Sequence, residues 1–202
     1  MAKPHIEPML ATAVSLENLP RDSDWITEPK LNGWRMLADA ESNGSWSLYS
    51  RRNADYTAKF PWITEQLALS LNGLKAVLDG ELVAFDENHH ERRELLYQPT
   101  AQNTAYFPFD ILSLNGVSAI SWPWSARHEM LQAVLHSQPN IIPVTAFEHT
   151  DLAGLLEAVG QLGVEGVVSK RRSALYQPGK RSHDWRKYRI ATPATNHRRK
   201  PQ

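Results

Sequence analysis

The 202-residue chain reads as an α+β protein built of antiparallel sheets flanked by helices. Three observations lead there. Eight short segments rich in β-branched and aromatic residues, bounded by Gly, Asn or Pro, have the character of strands. Three others carry apolar residues at helical spacing. The two kinds interleave without a regular strand–helix–strand repeat, which favours α+β over a doubly wound α/β sheet.

In order, the expected strands are residues 25–28, 34–40, 45–50, 77–85, 106–112, 141–149, 166–170 and 185–190, and the expected helices are 60–71, 125–136 and 151–162. Glu-Ser-Asn-Gly at 41–44 suits a hairpin turn between two of the strands. In the last helix Leu152, Leu155, Leu156 and Val159 fall on one face, and Asp151 is a candidate N-cap. Residues 87–102 are polar and uneven, as expected of a surface loop. Residues 1–190 are expected to form one domain. Residues 191–202 read as a basic, disordered tail with almost nothing to bury.

The absence of cysteine excludes disulfides, thiolate metal sites and cysteine nucleophiles, and it fits a reducing compartment. The chain shows no signal-peptide pattern and no apolar run long enough for a membrane span, so the cytoplasm is the expected location. The net charge of zero conceals an asymmetry: from residue 165 onward eleven Lys/Arg face only Glu165 and Asp184. A basic end on an otherwise acidic chain points to a phosphate-rich partner. For His197-Arg198-Arg199-Lys200 a merely solvated tail is an equal reading. From Lys170 to Arg189 the cations alternate with apolar residues in strand-like segments, which weakens that reading.

The chemistry centres on Glu28-Pro29-Lys30-Leu31-Asn32-Gly33-Trp34-Arg35. A lysine nucleophile must shed its proton, and neighbouring cations favour that. Glycine beside it allows close approach to a phosphate. Four further segments add to the pattern. Leu78-Asp79-Gly80-Glu81-Leu82-Val83 sets carboxylates in an apolar strand, and Tyr106-Phe107-Pro108-Phe109-Asp110 joins an aromatic to another. Glu165-Gly166-Val167-Val168-Ser169-Lys170 pairs a glutamate with a lysine, and Trp185-Arg186-Lys187-Tyr188-Arg189 puts Lys187 and Arg189 on one strand face. Taken singly each segment has a plain structural reading: 28–35 as no more than a turn, which is the favoured reading of that segment alone, Glu81 as a paired core carboxylate, Phe109 as core, 185–189 as an amphipathic edge strand. Cations that converge on one phosphate, with carboxylates to hold Mg²⁺, are the parts nucleotidyl transfer needs.

Taken together and in this order, the segments resemble the covalent nucleotidyltransferase superfamily, most closely the ATP-dependent DNA ligases of bacterial end-joining systems. Residues 30–35 resemble that family's Lys-x-Asp-Gly-x-Arg motif, and Ser50-Arg51-Arg52-Asn53 its Ser-Arg-Asn segment. Asp79-Gly80-Glu81 with Phe109-Asp110, then 165–170 and 185–189, are similar to its later motifs. Pro8-Met9-Leu10-Ala11 and Tyr176-Gln177-Pro178-Gly179-Lys180 also look like this branch.

The resemblance implies a nucleotidyltransferase (ATP-grasp-like) adenylation domain in which Lys30 attacks the α-phosphorus of ATP. Glu28 would read the adenine amino group, Phe109 stack on the purine, and Arg35 and Arg51 reach the ribose or phosphates. Glu81 and Glu165 would serve the ribose and Mg²⁺, with Mn²⁺ as an alternative. Lys170 and Lys187 would neutralise the α-phosphate. The implied partner is nicked or broken double-stranded DNA, and no membrane is involved.

The chain departs from the pattern in three places. Asn32 stands where the family has aspartate, keeping size and hydrogen bonding but losing charge. Arg189 replaces a lysine, with different geometry. Only thirteen residues follow Arg189, so the OB-fold domain of family ligases is not within this chain. Either the chain is a natural one-domain form, or it is a fragment, or its OB domain comes from elsewhere, in which case a separate OB-fold or end-joining protein is the expected partner of a monomer. The rival readings are an RNA-joining or GTP-using relative, and a non-catalytic binder of nucleotide or nucleic-acid ends.

Overall fold

A computed structural model describes residues 6–41, 43–136, 138–148, 152–161 and 163–190. Asp151, residues 149–150 and the basic tail 191–202 lie outside the described residues.

Among the described residues ten strands form two five-stranded sheets. They are β1 (Leu10–Ala13), β2 (Trp25–Lys30), β3 (Trp34–Ala40), β4 (Trp46–Ser50), β5 (Ala76–Ala84), β6 (Thr104–Leu114), β7 (Val117–Ser118), β8 (Phe147–Glu148), β9 (Gly166–Arg171) and β10 (Arg181–Arg189). The first sheet runs β1-β10-β9-β2-β8 and the second β4-β3-β5-β6-β7. All described pairs are antiparallel except β1 with β10, which is parallel. Three α-helices among the described residues flank them: α1 (Pro61–Leu71), α2 (Trp124–Val134) and α3 (Leu152–Gln161).

Three expectations change. β1 has no alternation of its own and was not anticipated; pairing along β10 makes it a strand. The strand expected at 141–149 contracts to β8, because Pro143 cannot donate to a ladder. What remains is a ribbon along β6, with Ile142 N–H on Tyr106 O at 3.0 Å and Val144 N–H on Pro108 O at 3.0 Å. The segment 87–102 is no plain loop: Glu91 bridges to Phe85, and Arg93–Tyr97 forms a 3₁₀ turn.

Burial follows the sheets. One apolar cluster packs α1 and α2 on the second sheet through Leu48, Ile63, Leu67, Leu82, Tyr106 and Leu131. A second, with Met9, Ile26, Leu37, Leu112, Trp124 and Trp185, fills the space between the sheets. α3 lays Leu152, Leu155, Leu156 and Val159 near Val167 of β9, as its spacing predicts.

One ion pair ties these layers. Arg127 of α2 and Asp110 of β6 are both fully buried, joined by Nε to Oδ1 at 2.7 Å and Nη2 to Oδ2 at 2.9 Å. The Arg127 Nη1 donates to Ala174 O at 3.0 Å, beyond the end of β9, so the guanidinium spans both sheets. Removing one partner of such a pair strands a buried charge. Arg127→Met is expected to cost about 3–5 kcal/mol in urea unfolding. A loss under about 1 kcal/mol would mean the latch is not structural.

Candidate active site

The site grows from the register of three strands. β9 pairs with β2 so that Lys30 faces Gly166, Glu28 faces Val168 and Ile26 faces Lys170. β10 continues the rows with Arg189, Lys187 and Trp185. Paired residues share a sheet face, so this one face carries Lys30, Glu28, Lys170, Lys187 and Arg189. β10 is thus an interior strand, not an edge. Gly166 keeps the first row open: a Cβ there would come within 2.1 Å of Tyr188 O.

The second sheet supplies the opposite wall. Arg35 of β3 is held by Asp79 of β5, Nε to Oδ1 at 2.8 Å and Nη2 to Oδ2 at 2.5 Å, and Tyr176 Oη donates to Asp79 Oδ2 at 2.6 Å. Phe109 enters through a bulge. Asp79 pairs with Asp110 and Gly80 with Pro108, which leaves Phe109 as the extra residue and re-aims its ring. Gly80 is required at that point, because a Cβ would meet the Tyr106 ring at 2.6 Å.

These walls enclose a pocket of about 240 Å³ lined by Glu28, Lys30, Arg35, Arg51, Glu81, Phe109, Lys170 and Lys187, along with Trp185 and Arg181. Every sequence-predicted nucleotide residue is therefore in one place. Glu165 is not among them. It lines an adjoining groove of about 490 Å³ that shares Lys30, Arg35, Arg51 and Glu81 and adds Arg52, Arg93, Tyr97 and Arg189.

Charges in the site are largely paired. Lys30 Nζ is bonded to Glu165 Oε2, whose Oε1 takes Arg189 Nε at 2.7 Å. Lys170 is buried: its Nζ donates to Glu28 Oε2 at 2.7 Å and to Phe109 O at 3.2 Å, and lies 4.5 Å from the ring centres of both Phe109 and Trp185. Arg35 is committed to Asp79, which tempers the expectation that it is free to reach phosphates. Glu28 Oε1 is buried and accepts no hydrogen bond from the described residues. Such an orphan acceptor at a pocket wall suits an amino group of a ligand.

Burial raises the Glu28 carboxyl above the usual range, with Lys170 pulling it back. Burial likewise pushes Glu81 up to about 7, against the pull of Arg35 and Lys30 and the Gly33 N–H. Burial lowers the Lys187 ammonium, and Lys30, Arg189 and Arg181 lower it further.

Among the described residues, no three His, Asp or Glu side chains come together as a metal cage. Mg²⁺ commonly uses one or two carboxylates plus phosphate oxygens and water. Glu81 and Glu165 on the shared groove fit an ion that arrives with phosphates. Sequence reasoning gave no role to Asp79, Trp185 or Glu91. Asp79 and Trp185 stood inside quoted motifs, whereas nothing marked Glu91, whose Oε2 accepts the Asn32 N–H at 2.9 Å.

Two apposed sheets around a pocket that ends on a strand-terminal lysine define a domain of the nucleotidyltransferase type. The chain belongs to the ATP dependent DNA ligase domain family, whose model matches residues 8–189. It is 33% identical over 184 residues to the multifunctional non-homologous end joining protein LigD of Mycolicibacterium smegmatis, covering 91% of this chain and 24% of that protein. The crystal structure of the ligase domain of M. tuberculosis LigD superposes with a TM-score of 0.77 at 28% identity, over 91% of this chain and 59% of that one. A mycobacterial DNA ligase D complexed with ATP and MES gives the same TM-score and identity, over 60% of its chain. The chain thus spans about a quarter of that curated relative.

Glu81 yields a pH test in EDTA. The folded carboxyl holds its proton up to about 7, well above the usual carboxylate range. The folded chain therefore binds more protons in that window, and the Glu81 contribution to stability falls as pH rises through it. Glu81→Gln is expected to flatten the decline in urea midpoint between pH 5 and 7.5. Parallel pH profiles for the two proteins would mean Glu81 is already ionised when folded.

Proposed function

We propose that this chain is the nucleotide-binding, lysine-adenylylating part of an ATP-dependent DNA ligase, with Lys30 as the nucleophile. The observation that carries this is the location of Lys30 where two spaces of different chemistry meet. One is aromatic, with a spare buried carboxylate oxygen, and suits a purine. The other is rimmed by arginines and suits the phosphate of a nucleic-acid end.

In this reading Glu28 Oε1 accepts from the adenine amino group, and Phe109 and Trp185 border the base. Arg51 and Glu81 reach the ribose or phosphates, and Arg35 braces that wall. Glu165, bonded to Lys30 Nζ, can take the ammonium proton. The amine then attacks the α-phosphorus: an N–P bond forms, the bridging α–β P–O bond breaks, and pyrophosphate leaves. Lys187 meets the charge on the α-phosphate, joined by Lys170 once Glu28 turns to the base. Mg²⁺, or Mn²⁺ in its place, would be held by Glu81 or Glu165 with phosphate oxygens and would offset the charge of the departing group.

The AMP next passes to the 5′-phosphate of nicked or broken double-stranded DNA, breaking the N–P bond. A 3′-hydroxyl finally displaces AMP to close the strand. The chain would work as a cytoplasmic monomer with an end-joining protein as its partner. Among the described residues no helix is long and apolar enough to cross a membrane. An RNA-joining enzyme or a non-catalytic binder is the second reading, favoured by Asn32.

Incubation with α-labelled ATP or GTP and Mg²⁺, followed by a denaturing gel, is the direct test. Acid-labile label from ATP is expected, and Lys30→Ala should abolish it without lowering the thermal unfolding temperature. An adduct on the variant would overturn the nucleophile assignment. Wild-type protein that takes no label would favour the binder, and label from GTP alone a capping-type enzyme.

DNA binding through the arginine-rimmed groove should be steeply salt-dependent. Each phosphate contacted adds roughly 0.9 to the slope of log affinity against log salt, so a few contacts imply a slope of about −3. Tight binding to a nicked duplex that ignores salt would contradict an electrostatic interface.

A further inference from the structure

Glu91 sits in the connection between β5 and β6, where backbone contacts hold it. It bridges to Phe85, and the next residue, Arg92, donates its N–H to Ala84 O at 2.8 Å. Asp86 closes the turn between them, accepting the Asn88 and His90 amides at 3.0 and 2.9 Å and pairing with Arg92 Nε at 3.0 Å. From this base the Glu91 carboxylate reaches the turn that follows Lys30 and accepts the Asn32 N–H at 2.9 Å. The neighbouring amide, Gly33 N–H, goes to Glu81 Oε1 at 3.1 Å. Two carboxylates, one from β5 and one from the β5–β6 connection, thus hold two successive amides of the turn that follows Lys30. Burial raises the Glu91 carboxyl, its bond to the Asn32 N–H and the charge of Lys30 pull it back toward the ionised form, and Glu165 opposes them.

We propose that Glu91 is a positioning residue for the Lys30 reaction: its carboxylate grips the Asn32 amide, fixes the turn at residues 31–33, and sets beside Lys30 a negative charge that the neutral Asn32 side chain lacks. The proposal rests on the reading of Lys30 as the nucleophile. Hydrogen bonds to an ionised acceptor are about twice as strong as neutral ones. A misplacement of about 1 Å at a reacting group costs roughly a hundredfold in rate. The grip on a single amide is therefore worth a measurable part of the rate while contributing little to nucleotide affinity. With Glu91 charged, an aspartate at position 32 would add a second negative charge to the same turn.

The test is single-turnover self-adenylylation of the 202-residue chain with saturating labelled ATP and Mg²⁺, in wild type, Glu91→Ala, Glu91→Gln, Asn32→Asp and the double variant Asn32→Asp/Glu91→Gln. Thermal unfolding, affinity for a non-hydrolysable ATP analogue and hydrogen exchange of the Asn32 amide are read on each. Glu91→Ala is expected to slow the covalent step about tenfold, with analogue affinity unchanged and the Asn32 amide exchanging faster. Asn32→Asp alone should also be slow, and the double variant should recover most of the rate, because the charge has moved and not been lost. A purely structural role would lower the unfolding temperature without this reciprocal rescue.

Wild-type rate in Glu91→Ala, or a double variant no faster than either single one, overturns the proposal. Should wild type take no label at all, the adenylylation reading fails on its own account. The exchange measurement then decides whether Glu91 holds the Asn32 amide, and unchanged exchange in Glu91→Ala refutes the grip directly.

Discussion

Asp79 is fully buried in the middle of β5, and a buried carboxylate must be matched or it destabilises the fold by several kcal/mol. Here Arg35 supplies the charge through a two-pronged contact, and Tyr176 adds a hydroxyl. Arg35 comes from β3 of the same sheet, whereas Tyr176 follows β9 of the other. One neutralised carboxylate therefore joins the sheets at the wall of the pocket. Asp110 and Arg127 repeat the solution on the far side. With both latches closed, the rows of β2, β9 and β10 face the Phe109 bulge at a fixed separation, and the pocket is what remains between them.

The same need for charge matching shapes the pocket without its ligand. Lys30 leans on Glu165, which also carries Arg189, and Lys170 leans on Glu28. Every one of these contacts can be exchanged for a contact with a nucleotide. A phosphate can replace Glu165 as partner of the cations, and an amino group can meet the spare oxygen of Glu28. Lys187 differs, because its nearest charged neighbours are mostly cations and burial already disfavours its ammonium. An anion entering there relieves a strain that the empty arrangement keeps, which is a physical reason for phosphate to settle beside it.

Long, strongly patterned segments were legible in the sequence. β3, β5, β6, β9 and all three helices lie within a few residues of where apolar periodicity puts them. The candidate site was legible in a different way: Lys30, Glu28, Glu81, Phe109, Lys170 and Lys187 stood in ordered motifs, and all line one pocket. Less legible were features that depend on a partner strand. β1 is a strand because β10 runs beside it, and Glu91 matters because a turn 59 residues earlier in the chain offers an amide.

What the sequence by itself determined, then, is the type of each main element and the set of groups available for chemistry, because both are encoded at short range by periodicity, turn residues and motif spacing. Only the tertiary structure decided how those groups are shared. It assigned Arg35 to Asp79, divided Glu165 between Lys30 and Arg189, and buried Lys170 against Glu28. The reason is physical. A charge buried between two sheets takes whichever partner the strand register brings within about 3 Å, and register is a property of paired strands that no single segment contains.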